Sequence, residues 1–329
     1  MSSVVISTRV RLARNLKDYP FPCKLSQQGR EEVIEKVRSA VKNGNSVLAD
    51  DFSFIKMSEL DPRQSVSLVE KRLVSPEFIS DTEGRALLLS SDESLSIMIN
   101  EEDHIRLQVI TKGLSLDEAY DTADKLDTLL DENLDFAFDE KLGYLTQCPT
   151  NLGTGMRASV MLHLPALEKS RAISRIAGNL SKLGLTIRGA HGEGTEPKGA
   201  LYQLSNQVTL GISEKAAVEN LKNITAQLVA QEEQARERLC KSMDVQDTIA
   251  RSLGILKYAL VISHDEALKL LSNVRLGIVS GQLKDISVDV IDSLMTAVEP
   301  ATLSVAAGKS LSPHERDIER AKLIQSKLK

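Results

Sequence analysis

Leu87-Leu-Leu-Ser-Ser-Asp-Glu-Ser-Leu95-Ser-Ile-Met-Ile-Asn-Glu-Glu-Asp-His-Ile105-Arg-Leu-Gln-Val-Ile110 holds three apolar runs with only short polar breaks between them. Leu87 to Ser90, Leu95 to Ile99 and Ile105 to Ile110 read as strands by β-branching and alternation. They follow one another around Asp92 to Asp103 without a helix, whereas parallel neighbours need a crossover of about a dozen residues or more. The runs therefore predict antiparallel pairing over a doubly wound parallel sheet. On either side, Arg157 to Leu164 and Ala200 to Val208 read as further strands, and Leu116 to Leu134 and Pro165 to Leu183 as helical stretches.

After Gly211 the pattern changes. Ser213 to Cys240 reads as one long polar helix, and everything beyond it is helical in character. Ser263-His-Asp-Glu266 and Ser312-Pro-His-Glu315 both match a capping box, with Pro313 at the favoured first helical position. The chain divides near residue 240: an α+β domain over 1–240, then an all-helical domain over 241–329.

Composition narrows the function classes. A hydrophobic fraction of 42% over 329 residues supplies a real core, mainly aliphatic because aromatics are only 3%. A net charge of −5 argues against coating nucleic acid or an anionic membrane, and no apolar run reaches the roughly 20 residues of a membrane helix. Cys23, Cys148 and Cys240 form no CxxC, and Met1-Ser-Ser-Val-Val-Ile shows no signal peptide, so a reducing cytoplasm fits. Gly308-Lys-Ser310 lacks the earlier P-loop glycine, which is Leu303 here. There is no GxGxxG after a strand, no kinase HRD or DFG pair, and no HExxH or Cys/His cluster for a metal. His163, inside a strand, reads as a packed or pairing residue.

Arginines recur beside loop glycines and acids. Ser7-Thr-Arg9-Val-Arg11-Leu-Ala-Arg14-Asn15 places Arg9 and Arg11 on one face if extended. Asn100-Glu-Glu-Asp-His-Ile-Arg106 sets three acids before an arginine. Cys148-Pro-Thr-Asn-Leu-Gly-Thr-Gly-Met-Arg157-Ala-Ser159 delivers one at a strand start, and Arg188-Gly-Ala-His-Gly-Glu193 opens a glycine-rich loop on another. Singly, each reads as a solvated side chain or a turn. Together, planar donors that stay charged at any working pH suit the oxygens of a polyphosphate.

These four blocks, with Ser205-Asn-Gln-Val-Thr-Leu-Gly211, resemble the phosphagen (guanidino) kinase family, in family order over about residues 4 to 240. The resemblance implies an antiparallel sheet flanked by helices, similar to the glutamine synthetase catalytic core, and ATP-dependent phosphorylation of a guanidinium nitrogen. Members acting on small metabolites carry an N-terminal helical domain. This sequence begins almost directly at Ser7-Thr-Arg and adds helices after residue 240, which is similar to the branch that phosphorylates arginine side chains in proteins. That branch implies marking of stress-related or unfolded proteins for regulation or degradation. The alternatives are a kinase for free arginine or another small guanidino compound, and a phosphoarginine-binding adaptor without catalysis.

Residue by residue, the resemblance implies an ATP site of Ser7, Thr8, Arg9, Val10 and Arg11, then Arg72 and Arg106. It continues through Arg157, Ala158, Ser159, Val160 and Met161 to Arg188, Gly189, Ala190, His191 and Gly192. Mg²⁺ is held mainly by phosphates and water, with no protein metal site. Glu102 and Glu193 accept hydrogen bonds from the guanidinium and can take its proton, and Cys148 lies beside it. Arg72 stands where that branch has a histidine. Arg316, Asp317, Ile318, Glu319, Arg320 and Ala321 resemble an allosteric phosphoarginine pocket in which two guanidinium forks and one carboxylate share a helix face. Implied partners are protein substrates, a zinc-binding activator protein, protease machinery and a second copy of the chain; nucleic acid and membrane are not among them.

Overall fold

Strand alternation sorts the molecule into two faces. The computed structural model describes residues 4–43, 51–189 and 197–329. In chain order the first half runs β1 (Val5–Arg14), α1 (Gln27–Asn43), β2 (Phe52–Lys56), α2 (Pro62–Glu70), β3 (Ala86–Ser90), β4 (Leu95–Ile99), β5 (Ile105–Lys112) and α3 (Leu116–Asp131). A small hairpin follows, β6 (Phe138–Asp139) and β7 (Gly143–Tyr144). Next come β8 (Met156–His163), α4 (Pro165–Lys169), α5 (Ile173–Lys182), β9 (Leu185–Gly189), β10 (Leu201–Asn206) and α6 (Glu214–Leu239). The remainder is helical: α7 (Met243–Tyr258), α8 (His264–Val279), α9 (Val288–Ala297), α10 (Pro300–Ala306) and α11 (Pro313–Lys327).

The main sheet has the order β2-β3-β4-β5-β1-β8-β10-β9, with every neighbouring pair antiparallel. The three runs around Asp92 to Asp103 pair as their short breaks require. The Pro165 to Leu183 stretch departs from a single helix. It breaks into α4 and α5 at Arg171, whose φ of 55° is left-handed and cannot continue an α-helix. Ser312 makes the full capping box with Glu315, whereas Ser263 only accepts from the Glu266 amide.

Behind the sheet, Val10 and Leu12 of β1, Leu107 and Val109 of β5, and Ala158, Val160 and Leu162 of β8 join α1, α3 and α6 in one aliphatic layer. Arg14 lies on this same face, 1% exposed. Its Nε and Nη2 donate to Asp127 Oδ2 on α3 at 3.1 and 2.7 Å, which offsets the cost of burying the charge. In front, α2 and the segments on either side of it cover β3 and β4 through Met57, Leu73, Phe78, Leu87 and Met98. Residues of α8, α9 and α11 cover the β8–β10 side, where Met161 and Leu201 enter the same apolar cluster as Leu268, Leu294 and Ile324. Between the two covers, the central strands keep an open front.

His104 fastens the turn between β4 and β5, which carries Glu101 and Glu102. It is fully buried; its Nδ1 accepts from the Leu16 amide at 3.0 Å, which leaves Nε2 to donate to the Pro20 carbonyl at 2.9 Å. Burial drives its pKa down to about 4. The folded state thus keeps the ring neutral while the unfolded chain protonates near pH 6.5, so this contribution is complete above pH 6.5 and is lost as pH falls towards 4. The loss is of order 3 kcal/mol. Glu232, lifted by burial to about 7, acts in the opposite sense, so the check is a difference between proteins. Denaturant titrations of wild type and His104→Gln between pH 7 and pH 4.5 should show wild type losing more stability than the variant; parallel curves would remove His104 from this role.

Candidate active site

The open front is a field of arginines built by register. Arg11 of β1 pairs across from Arg157 of β8, and Arg106 of β5 pairs with Ala13, two residues along from Arg11. Arg9 lies opposite Ser159, and its Nη2 donates to Gln203 Oε1 of β10 at 3.1 Å. Arg188 of β9 faces Gln203 in the register and adds its charge at Arg157. Because side chains alternate along a strand, all of these project from one face.

The cluster holds too few anions for its cations. Arg9 is lowered to about 10, first by burial and then by Arg72, Arg106 and Arg157. Burial and the charges of Arg9, Arg106 and Arg157 push Arg11 well below its usual value, with Glu101 opposing. Arg157 is lowered by burial, then by Arg188 and Arg106. The Nε atoms of Arg11 and Arg157 are buried without a hydrogen-bond partner. Buried donors without partners cost free energy, so this geometry calls for an anion with several acceptor oxygens.

Carboxylates gather at one edge. Arg106 pairs with Glu101 at 2.5 Å and Glu102 at 2.9 Å, and Asn151 Nδ2 reaches Glu102 at 3.4 Å. Ser75 donates to the other oxygen of Glu101. Cys148 Sγ sits 3.1 Å from Thr150 Oγ1. Arg11, Arg106, Arg157, Glu101, Glu102 and Cys148 line one cavity of about 340 Å³. An adjoining cavity of about 350 Å³ shares Arg11 and Arg106 with it and adds Arg9 and Arg72. Arg72 has a left-handed φ of 64°, uncommon for a residue with a side chain, and its carbonyl is held by Gln108 Nε2 at 3.0 Å. Its guanidinium is lowered to about 10 by burial, opposed by Glu299.

The structure thus brings together Arg9, Arg11, Arg72, Arg106, Arg157, Glu102 and Cys148, and a small third cavity adds Ser7, Ser159 and Met161 beside Arg9 and Arg72. Four expected nucleotide residues turn their side chains away from the arginines. Val10, Ala158 and Val160 point into the apolar layer behind the sheet, and Thr8 Oγ1 donates to the Gly113 carbonyl, because alternation turns them from the arginine face. Gly189 ends β9. Ala190, His191, Gly192 and Glu193 lie outside the described residues. His163 packs as the sequence suggests, with Nε2 2.8 Å from Ser272 Oγ.

On the expected phosphoarginine face of α11, one of the two forks is already engaged. Arg320 is 1% exposed, and its Nε and Nη1 already donate to the carbonyls of Val298 and Ile262 and to Asp317. Ala321 is buried in the helical core. Arg316, Ile318 and Glu319 are partly exposed, so Arg316 is the fork left at the surface. Sequence reasoning missed Ser75, Asn151 and Gln203, and also Thr296 and Glu299 of the helical region, which line the second cavity. Asn151 lay inside a recognised block; the last two carried no local signal.

Comparison with known proteins agrees with this geometry. The family described as ATP:guanido phosphotransferase, C-terminal catalytic domain, matches residues 32–235, and that described as Protein-arginine kinase McsB C-terminal domain matches residues 242–329. The chain is 47% identical over 327 residues to the protein-arginine kinase of Caldanaerobacter subterraneus subsp. tengcongensis, covering 99% of this chain and 97% of that one. It is 49% identical to the protein-arginine kinase of Halothermothrix orenii, covering 99% and 93%. Among solved structures, the duplicated taurocyamine kinase of Schistosoma mansoni, with bound transition state analogue components, superposes with a TM-score of 0.63 at 31% identity. That match covers 70% of this chain and 33% of the other.

A site of mutually repelling arginines should be stabilised by anions. Tripolyphosphate should raise the melting temperature of the wild-type protein. Arg11→Met should stabilise the ligand-free protein by about 0.5–2 kcal/mol while losing most of that gain. Thermal melts with and without tripolyphosphate check both; an unchanged response in the variant would remove Arg11 from the anion site.

Proposed function

The chain belongs to the ATP:guanido phosphotransferase family, and on that premise we propose that it is a protein-arginine kinase, transferring the γ-phosphoryl group of ATP to the guanidinium of arginine side chains in proteins. One observation carries this reading: Arg11, Arg106 and Arg157 share a cavity with Glu102 and Cys148. Cations for the phosphates and an acidic pocket for a guanidinium meet where phosphoryl transfer would occur.

Arg11 and Arg106, common to both cavities, take the phosphates, with Arg9, Arg72, Arg157 and Arg188 supplying further positive field. Mg²⁺ would be held mainly by the phosphates of the nucleotide and by water. Bound there, it would neutralise charge on the transferring group. Phosphates relieve Arg106, which frees Glu102 to accept from the incoming guanidinium while Asn151 keeps its carboxylate aimed. A guanidinium with a pKa above about 12 is a poor nucleophile until a carboxylate orients it and takes a proton. The guanidino nitrogen then forms the N–P bond as the bond from the γ-phosphorus to the bridging oxygen breaks. The proton passes to Glu102 or Glu193, and ADP departs with its charge held by the arginines. Positioning and electrostatics supply most of the acceleration.

Residues 1–240 form the catalytic unit in this reading and 241–329 the regulatory one. Arg316, Asp317 and their neighbours sense phosphoarginine, with Arg316 as the exposed fork and Arg320 holding the helix in place. The substrates are stress-related or unfolded proteins marked for regulation or degradation, with a zinc-binding activator and protease machinery as partners. Exposed apolar residues around Tyr258 and Leu260, each 80% exposed, support a homodimer. No helix among the described residues is long and apolar enough to cross a membrane; with three free cysteines, this supports a cytoplasmic setting.

Supplied with ATP, the enzyme should place acid-labile phosphate on an unfolded arginine-rich protein. Transfer to free arginine alone would favour the small-guanidine reading, and transfer to neither an adaptor. Glu102→Gln should cut turnover by at least about a hundredfold while ADP affinity survives. A parallel collapse of ADP affinity would make Glu102 structural. Arg316→Ala should blunt activation by added phosphoarginine and leave basal turnover nearly intact, since the residue is partly exposed and lines none of the arginine cavities; a wild-type activation curve would return α11 to a structural role.

A further inference from the structure

The two adjoining cavities differ in chemistry, and the difference gives the nucleotide a direction. The first is polar, with Glu101, Glu102 and Cys148 around its arginines and Ala13 as its one aliphatic wall among the described residues. The second shares Glu77 with the first but adds apolar walls, from Val69 and Val74 on one side to Leu201, Leu268 and Met295 on the other. Its Glu70 is spent: one carboxylate oxygen accepts from the Ala301 amide at 2.9 Å and the other from the Thr302 amide at 2.7 Å. Arg11 and Arg106 stand on the border of both. If the guanidinium takes the cavity of Glu102 and the phosphates the shared arginines, the purine and ribose are left the apolar cavity and the small one beside it, and Thr296 lines both. Its volume of about 350 Å³ lies in the range of ligand pockets.

One wall of that cavity belongs to the helical region. Leu268 comes from α8, Met295 and Thr296 from the end of α9, and Glu299 from the turn before α10. This turn is gripped from both sides. Glu70 of α2 caps the N-terminus of α10, and Ser67 Oγ meets Thr302 Oγ1 at 3.1 Å. From behind, Arg320 of α11 donates Nε to the Val298 carbonyl at 3.0 Å. Glu299, 8% exposed, lies 3.1 Å from His264 Nε2 and offsets the burial of Arg72 across the cavity. Such bracing fixes a wall rather than leaving a loose surface turn.

We propose that the helical region completes the nucleotide site: Leu268, Met295 and Thr296 wall the nucleoside, and Glu299 orients Arg72 towards it. This rests on the phosphoryl-transfer reading above and adds a binding surface from outside the matched catalytic domain. The ligand class is a nucleoside di- or triphosphate whose base and ribose lie between sheet and helices. It also means that nucleotide touches the turn which Arg320 holds, so occupancy and the state of α11 are joined through residues 298 to 302. By linkage any coupling must act equally in both directions.

The test separates nucleoside from phosphate. Thr296 is exposed at the rim, so Thr296→Phe should fold normally while filling the slot. It should weaken ADP at least about tenfold, leaving tripolyphosphate, which has no nucleoside, within about twofold of wild type; Thr296→Ala should restore ADP binding. Isothermal titration with ADP and with tripolyphosphate reads all three proteins. Unchanged ADP affinity in Thr296→Phe, or an equal loss for both ligands, overturns the proposal. Arg106→Ala tests the premise separately: if tripolyphosphate binds that variant as it binds wild type, the phosphates lie elsewhere and the reading of the whole site falls, whatever Thr296 does.

Discussion

The two-residue period of β1 is the constraint on which the site depends. Val10 and Leu12 must face the aliphatic layer, so Arg9 and Arg11 have to face the other way, towards Arg157 and Arg106 on the flanking strands. A slip of one residue would bury the guanidinium groups in the core and expose the valines and leucines, so the apolar layer enforces the register. The cost of burying the front arginines and of their mutual repulsion, visible in the lowered Arg9 and Arg11, is therefore borne by hydrophobic burial on the far side of the same strand. A pre-formed deficit of negative charge is a strong way to select a polyphosphate, because the ligand removes a penalty as well as making contacts.

The carboxylates follow a second logic. Glu101 and Glu102 neutralise Arg106, yet their surroundings differ. Glu101 is buried and tied to Ser75, whereas Glu102 is partly exposed and, among the described residues, shared with Asn151. One acid is locked into the scaffold, and its neighbour is left able to exchange partners. The same acid–cation pairing recurs at Arg14 and Asp127 behind the sheet, where both groups are buried and stay paired.

Sheet and helices are joined by polar groups as well as by the shared apolar cluster. Glu232 accepts from the Ala166 and Leu167 amides and so caps α4, while Glu70 does the same for α10. His163 meets Ser272, and Arg275 pairs with Asp292 at 2.6 Å inside the helical region. Each satisfies buried polar groups that would be costly if left alone, so these contacts specify one docking of helices on sheet.

Much of this was legible in the linear chain. Strand-length alternation in Leu87 to Ile110 and Arg157 to Leu164 determined antiparallel strands, and the Arg-bearing blocks determined which chemistry to expect, because local periodicity and turn residues act within a few positions. Alternation also identifies Val10, Ala158 and Val160 as rear-facing once the strands are placed, although a contiguous motif suggests otherwise. Tertiary structure alone decided three things: which arginines meet, that Arg320 is consumed by the carbonyls of Val298 and Ile262, and that Thr296 and Glu299 reach a cavity lined by Arg9 and Arg72. The reason is separation along the chain. Arg72 and Glu299 lie more than two hundred residues apart, and no local pattern records a contact that exists only when the helices close over the sheet.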